Sequence, residues 1–206
     1  MKSIIGIAGK MRSGKGVLSE YLHEKYGYTV MAFYEPLKDI CTNLLGLDSV
    51  EELDLLKNTN KPIAMYFSGD LCDRFADAFE VEKRFFSEVM LGKEIHSIRE
   101  LLQTIGTDVL RAYDEDWHVN RVIGRIIDAV SKGEKVVVAD VRFPNEKAKI
   151  ESIGGEVYYI NRVVEDERVG HIAENSLSPT DFPDEHVLNN DKDVETLISE
   201  FEKRLF

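Results

Sequence analysis

The sequence predicts an α/β fold, a three-layer sandwich in which a mostly parallel five-stranded sheet carries helices on both faces. Three observations predict it. The run Ile4 to Glu20 passes from a short apolar stretch through a glycine-bounded loop into helical periodicity. A second apolar run, Val136-Val137-Val138-Ala139, is β-branched enough for a strand buried on both faces, and it ends on Asp140. Around these two runs, further short apolar runs alternate with helical patterns, the order that builds parallel sheets.

Ile4, Ile5, Ile7 and Ala8 form the first expected strand. Gly9 to Lys15 then fit Gly-x-x-x-x-Gly-Lys, and Leu18, Tyr21 and Leu22 set the helix that follows. Gly9 and Gly14 let the backbone turn tightly and aim its amides inward. Lys15 falls at the helix start, where charge and free amides meet phosphate oxygens. Arg12, Ser13, Gly16 and Val17 complete the candidate cradle. One position departs from the pattern. The residue after the lysine is normally Ser or Thr, whose hydroxyl binds magnesium. Here it is Gly16, followed by Val17, and Ser19 lies a helical turn further on.

Thr29 to Phe33 is the second expected strand, and Pro36 opens a helix that stops near Gly46. Lys38, on its first turn, lies near the carboxyl end of that strand, where open parallel sheets bind ligands. It is a candidate for a substrate phosphate, with a solvated surface lysine as the alternative. Residues 48–95 read as an acidic helical insertion near the acceptor site, in which Asp70, Asp73 and Asp77 form a wet helix face. Ser97 caps a further helix that puts Arg99 and Gln103, four apart, on one face, suited to a phosphate and a base edge, with a solvent-exposed polar face as the alternative. Gly106 to Asp108 break or bend it. Trp117, the only tryptophan, opens the next helix, with core packing as its default role. Asp140 ends the third strand, where an acid beside a phosphate loop can hold hydrated magnesium, with an Asp that caps a turn as the alternative, and Arg142 follows close enough in sequence to share the same crevice. Glu156 to Ile160 and Val187-Leu188 are the fourth and fifth strands. Between them lies a polar stretch with Arg162, Arg168, His171 and Glu174, a candidate lid over residues 162–180.

The formal net charge is -12, from 38 acidic and 26 basic residues, which argues against a nucleic-acid polymer as partner but leaves room for a local nucleotide pocket. Two cysteines, no stretch before Gly9 long enough for a signal peptide, and no run approaching about 18 apolar residues lead us to expect a reduced cytoplasmic protein without a membrane span. At 206 residues the chain is expected to form one domain.

Five stretches together resemble phage-type deoxynucleoside monophosphate kinases, within the P-loop nucleotide kinases. They are Gly9 to Gly16, Phe33 to Lys38, Arg99 to Arg111 with Trp117, Asp140 to Glu146, and His171 to Leu177 with Asn190-Asp191. The glycine loop alone is shared with many ATPases. Arg-Glu-Leu-Leu-Gln-Thr-Ile-Gly-Thr-Asp together with Asp-Val-Arg-Phe-Pro-Asn-Glu is far more specific. The resemblance implies a P-loop kinase sandwich, ATP with Mg2+, and a deoxynucleoside 5'-monophosphate acceptor. If phage-encoded, the protein would work in the host cytoplasm. Lys15 then binds donor phosphates, and Arg99 and Arg142 serve the acceptor side or the transfer. Arg162 and Arg168 are lid arginines, Asn190-Asp191 lies near the donor adenine, and Phe33, Lys38, Gln103, Trp117 and Glu174 line the acceptor. A homodimer is compatible with it. The usual loop of the family ends Gly-Lys-Asp-Thr, so Gly16-Val17 removes the expected metal hydroxyl. Two alternatives stay open: another small-molecule P-loop kinase (of the ribonucleotide, dephospho-coenzyme A or shikimate type), or a nucleotide-binding regulatory protein without transfer activity.

Overall fold

The structure, a computed structural model, describes residues 2–59, 61–162 and 176–205. In chain order its elements are β1 (Ile4–Gly9), α1 (Lys15–Tyr26), β2 (Tyr28–Met31), α2 (Glu35–Leu45), α3 (Val50–Asn58), β3 (Pro62–Tyr66), α4 (Gly69–Phe79), α5 (Lys83–Met90), β4 (Glu94–Ser97), α6 (Ile98–Gln103), a π-helical segment (Thr104–Arg111), α7 (Trp117–Ser131), β5 (Lys135–Val141), α8 (Pro144–Ser152), β6 (Glu156–Asn161), β7 (Val187–Asn189) and α9 (Val194–Leu205). They fall into two compact units, Met1–Phe33 with Val119–Phe206, and Tyr34–His118.

The first unit is the expected sandwich. Its five-stranded sheet has the order β2-β5-β1-β6-β7, and every pairing is parallel. Alternation along β1 feeds two cores. Ile5 and Ile7 pack with Leu18 and Leu22 of α1 and with Leu197 and Phe201 of α9. Ile4 and Ala8 point the other way, towards Val122 and Ile126 of α7 and Ile150 of α8. From β1 the chain passes β5 to reach β2. From β5 it passes β1 to reach β6 on the opposite side. The carboxyl ends of β1 and β5 therefore mark the switch point, the ligand edge of such sheets. Gly6 pairs with Val138 but Ala8 with Val141, so β5 carries an extra residue opposite Ile7. Asp140 belongs to that irregularity, the kind of local bend that re-aims a side chain at a sheet edge.

The second unit has its own core, in which Leu37, Leu53, Phe67, Phe75, Phe79, Phe86, Leu101 and Trp117 are buried together. Two local expectations are corrected here. The region 48–95 is not wholly helical, because β3 pairs antiparallel with β4. The β3 residues, Pro-Ile-Ala-Met-Tyr, form a short apolar run that alternates between exposed and half-buried, and so short a run does not by itself tell a strand from a helical segment. Of the break or bend expected at Gly106 to Asp108, the break is absent: the chain continues from α6 into the π-helical segment, a change of helical winding, with Gly106 buried. A Cβ at Gly106 would come 2.7 Å from the Tyr34 hydroxyl, so glycine lets Tyr34 pack tightly against the turn. Both cysteines are buried free thiols. Among the described residues no helix is long and apolar enough to cross a membrane.

Candidate functional site

In the first unit the site is built mostly from backbone. β1 ends at Gly9 with φ +141°, and α1 is entered through Gly14 with φ +108°. Side chains rarely adopt either conformation. A Cβ at Gly9 would also lie 2.7 Å from the Ile160 carbonyl oxygen, and one at Gly14 would lie 2.9 Å from Asn190 Nδ2. Arg12, exposed, takes a left-handed φ of 63° between them. Lys15 Nζ donates to the carbonyls of Gly9 and Lys10, at 2.6 Å each, which holds the ammonium across the loop it follows. Ser13 is 1% exposed, and its Oγ has no hydrogen-bond partner among the described residues. A buried hydroxyl in that condition is suited to a ligand oxygen.

Asn190 braces this loop. It is buried, its Nδ2 donates to the Ser13 carbonyl at 2.7 Å, and its own N–H donates to the Asn161 carbonyl at 2.9 Å. The side-chain amide expected near an adenine is thus committed to the loop backbone, while Asp191 is exposed beside it. Arg162 also reaches the loop, with Nη1 donating to the Arg12 carbonyl at 3.4 Å. At its far end α1 is tied to α9 through Glu202, whose Oε1 accepts from Tyr21, Lys25 and Tyr26. The Lys25 bond, then those of the two tyrosines, depress the Glu202 carboxyl to about 2.

Asp140 Oδ1 accepts from the Phe33 N–H at 2.8 Å, so the carboxylate anchors the chain just beyond β2. Phe33 itself, an expected substrate contact, is fully buried in the first unit's core. Arg142 is half-buried, and its N–H donates to Glu146 Oε2 at 2.7 Å, fixing the turn into α8. Among the described residues no group of three or more acidic, histidine or cysteine side chains could hold a metal. Gly16 supplies no hydroxyl, and Ser19 Oγ donates back to the Gly16 carbonyl at 2.9 Å. The donor set therefore suits a magnesium ion held by one carboxylate, by water and by substrate phosphates, a usual arrangement for that ion.

In the second unit the charges gather where α2, α3 and α6 pack. Lys38 Nζ bonds Asp54 Oδ2 at 2.8 Å, and Lys57 Nζ bonds Asp54 Oδ1. Their side chains are 26%, 32% and 22% exposed for Lys38, Asp54 and Lys57. Burial tends to raise the Asp54 carboxyl, but the two lysine bonds together outweigh it, and the group ends below its ordinary value. Lys57 also ends low. Burial is the largest cause, and the charges of Lys38 and Arg99 add to it against the Asp54 bond. The partners move the same way because Asp54 is shared by two cations, whereas Lys57 feels two like charges. Gln103 is half-buried one turn beyond Arg99. Trp117 is 5% exposed, lies edge-on to Phe79 and donates from Nε1 to the Phe79 carbonyl at 3.2 Å, so it packs the core and presents no free face to a base. Lys57 and Asp54 were missed in the sequence, where they read as one more polar stretch of an acidic insertion. Arg168 and Glu174, with most of the expected lid, lie outside the described residues.

The family profile described as "Deoxynucleotide monophosphate kinase" matches residues 47–201. The chain belongs to that family. The match takes in Arg99, Asp140, Arg142 and Asn190 but begins after the glycine loop. A protein of Acanthamoeba polyphaga mimivirus named "Putative deoxynucleotide monophosphate kinase" is 25% identical over 210 residues, spanning 96% of this chain and 93% of that protein. A Bacillus subtilis (strain 168) protein named "Putative hydrolase YbfO" is 25% identical over 109 residues, spanning 53% of this chain but only 24% of that protein.

Proposed function

We propose that the protein transfers the γ-phosphoryl group of ATP to a deoxynucleoside 5'-monophosphate, giving ADP and the deoxynucleoside diphosphate. The observation that carries this reading is the strand–loop–helix at Gly9 to Lys15, with an ammonium held across a glycine-built turn in a chain of this family. Loop amides, Ser13 Oγ and Lys15 bind the donor's β and γ phosphates. Asn190 keeps the loop in shape, and Arg162 adds charge at its rim. Lys38, Arg99 and Gln103 hold the acceptor, and Arg142 serves the transferring group. Magnesium, when bound, neutralises charge across the phosphate oxygens, and Asp140 is the residue to hold it, largely through water. The acceptor phosphate oxygen attacks the γ-phosphorus as the bond to the bridging oxygen of ADP breaks. A phosphate dianion is already nucleophilic near neutral pH, so the chain needs no strong general base.

An ADP-release panel tests the reading, with ATP and magnesium against each common deoxy- and ribonucleoside monophosphate. We expect strong turnover with one or more deoxynucleotides and weaker turnover with the ribose counterparts, an added hydroxyl being discriminated against by about 100-fold at most. A ribonucleotide preference would move the acceptor to another class. ATP binding with no acceptor at all would remove the kinase reading.

A further inference from the structure

Arg204 lies in the last turn of α9, and nothing argued so far uses it. It is half-buried. Its Nη1 donates to the carbonyls of Asp184 and Glu185, at 3.2 and 3.0 Å, and to that of Val187. Those carbonyls are neutral, so they fix the guanidinium without cancelling its charge. Among the described residues Arg204 has no ion pair, and its Nε and Nη2 have no hydrogen-bond partner. A brace for the chain entering β7 accounts for Nη1, and a cation in a last helical turn suits the helix dipole. Neither role uses the other two nitrogens.

Arg204 also lines a cavity of about 490 Å³, within the first unit. Asp184 and Asn189 add polar groups to it, and Pro179, Phe182 and Val187 form its apolar wall. Small-molecule sites have this size and this mixture, an apolar lining with a few fixed polar groups. β7 is the outermost strand of its sheet. Asn190 donates its N–H to the Asn161 carbonyl of β6, so Asn189, one residue earlier, turns its own N–H to the free edge. Asp184 is exposed, and Arg204 holds its backbone, so one fixed cation and one carboxylate share the cavity without pairing. A bare anion there would gain the guanidinium but meet the carboxylate. A ligand with both an anionic oxygen group and an N–H donor engages the two together, each through a charge-assisted bond.

We infer that this cavity is a second ligand site, distinct from the glycine loop, for a small organic molecule that carries an oxyanion and an N–H donor on one skeleton. Arg204, with the Asn189 N–H, takes the oxyanion. Asp184 takes the donor. Pro179, Phe182 and Val187 cover the skeleton. An amino-bearing nucleotide and an amino acid both have this chemistry, and the test separates them. The site uses no residue of the glycine loop, so it stands or falls apart from the kinase reading.

Nitrogen-resolved NMR of the whole chain decides it, with the Arg204 Nε–H and the Asn189 N–H as reporters and dGMP or phenylalanine as probes at millimolar concentration. We expect at least one probe to move both reporters saturably, in the parent and equally in Lys15→Ala. A response to dGMP alone makes the ligand a nucleotide, and a response to phenylalanine alone makes it an amino acid. Arg204→Met, read at Asn189, should weaken binding roughly 10- to 100-fold, the usual value of a charge-assisted bond. Asp184→Asn changes an exposed side chain that braces nothing, so it folds even if Arg204→Met does not, and it should weaken binding about 10-fold. Circular dichroism checks both variants. Reporters that stay still with both probes in the parent protein would overturn the site. Undiminished binding in Asp184→Asn would overturn the paired recognition of oxyanion and donor.

Discussion

The two units bind charge by opposite means. In the first, the loop from Gly9 to Lys15 is a backbone device, in which glycine conformations, carbonyls and one amide brace set the shape and Lys15 lays its ammonium across it. In the second, the Lys38–Asp54–Lys57 cluster is a side-chain device. Its members come from two helices, α2 and α3, and are held by one another. A backbone device keeps its geometry when its charge is removed. A side-chain device loses charge and geometry together. Substitutions should therefore separate binding from structure in the first unit, and only opposed pairs of variants can do so in the second.

The largest effect expected is at Lys15. Lys15→Ala removes the ammonium but none of the glycine turns, so turnover should fall by about two to three orders of magnitude while the fold persists. Steady-state ADP release and circular dichroism check this. A folded variant with near-parental turnover would show that the loop is not the donor site.

Gly14→Ala attacks the same loop through its shape. The backbone is left-handed there, and the new Cβ would press on Asn190 Nδ2 at 2.9 Å and on Leu197 Cδ2 at 3.2 Å. We expect a stability cost of about 1–3 kcal/mol and weaker ATP binding. Denaturant titration and ATP calorimetry read these two. A Gly14→Ala variant with parental stability and ATP affinity would show that the glycine turn does not set the shape of the loop.

That contrast also explains what was legible in the sequence. The loop was readable because its parts are adjacent in the chain and glycine spacing reports backbone shape directly. The five parallel strands were readable for a similar reason, since β-branched runs such as Val136 to Val138 pair on both sides and are buried on both faces. The ribbon of β3 and β4 was not, because its strands are short, half-exposed and separated by two helices. Lys57 and Asp54 were not either. Their meaning lies in proximity to Lys38 and Arg99, which only tertiary packing supplies. Phe33 was singled out through the family resemblance and is fully buried, while Trp117 is buried as its default reading of core packing expects. Asn190, singled out as lying near the donor adenine, gives its side-chain amide to the Ser13 carbonyl of the loop.

A moderate effect is expected at Asp140. Asp140→Asn is the informative change because the amide oxygen can still accept from the Phe33 N–H while the charge disappears. Turnover should then require roughly ten-fold more magnesium, with ATP affinity in the absence of metal little altered. A magnesium titration of parent and variant measures it. An unchanged requirement would leave Asp140 as an anchor for the chain beyond β2 and nothing more.

The smallest effect, and the one that sharpens the first unit most, is at Gly16. This glycine is not among those with positive φ, and a Cβ there would meet nothing within 4 Å. Neither conformation nor space excludes a side chain, so the missing hydroxyl is not forced by the fold. Gly16→Thr places a hydroxyl directly after Lys15, at the second residue of α1. Glycine costs a helix about 1 kcal/mol relative to alanine and threonine somewhat less, so the variant should be at least as stable as the parent. If magnesium is held mainly through water beside Asp140, the added ligand should lower its half-saturating concentration a few-fold, and the gain should persist in the Asp140→Asn background. Thermal melts and magnesium titrations of the single and double variants provide the comparison. A stable Gly16→Thr protein with an unaltered magnesium curve would mean that the metal does not bind within reach of the start of α1.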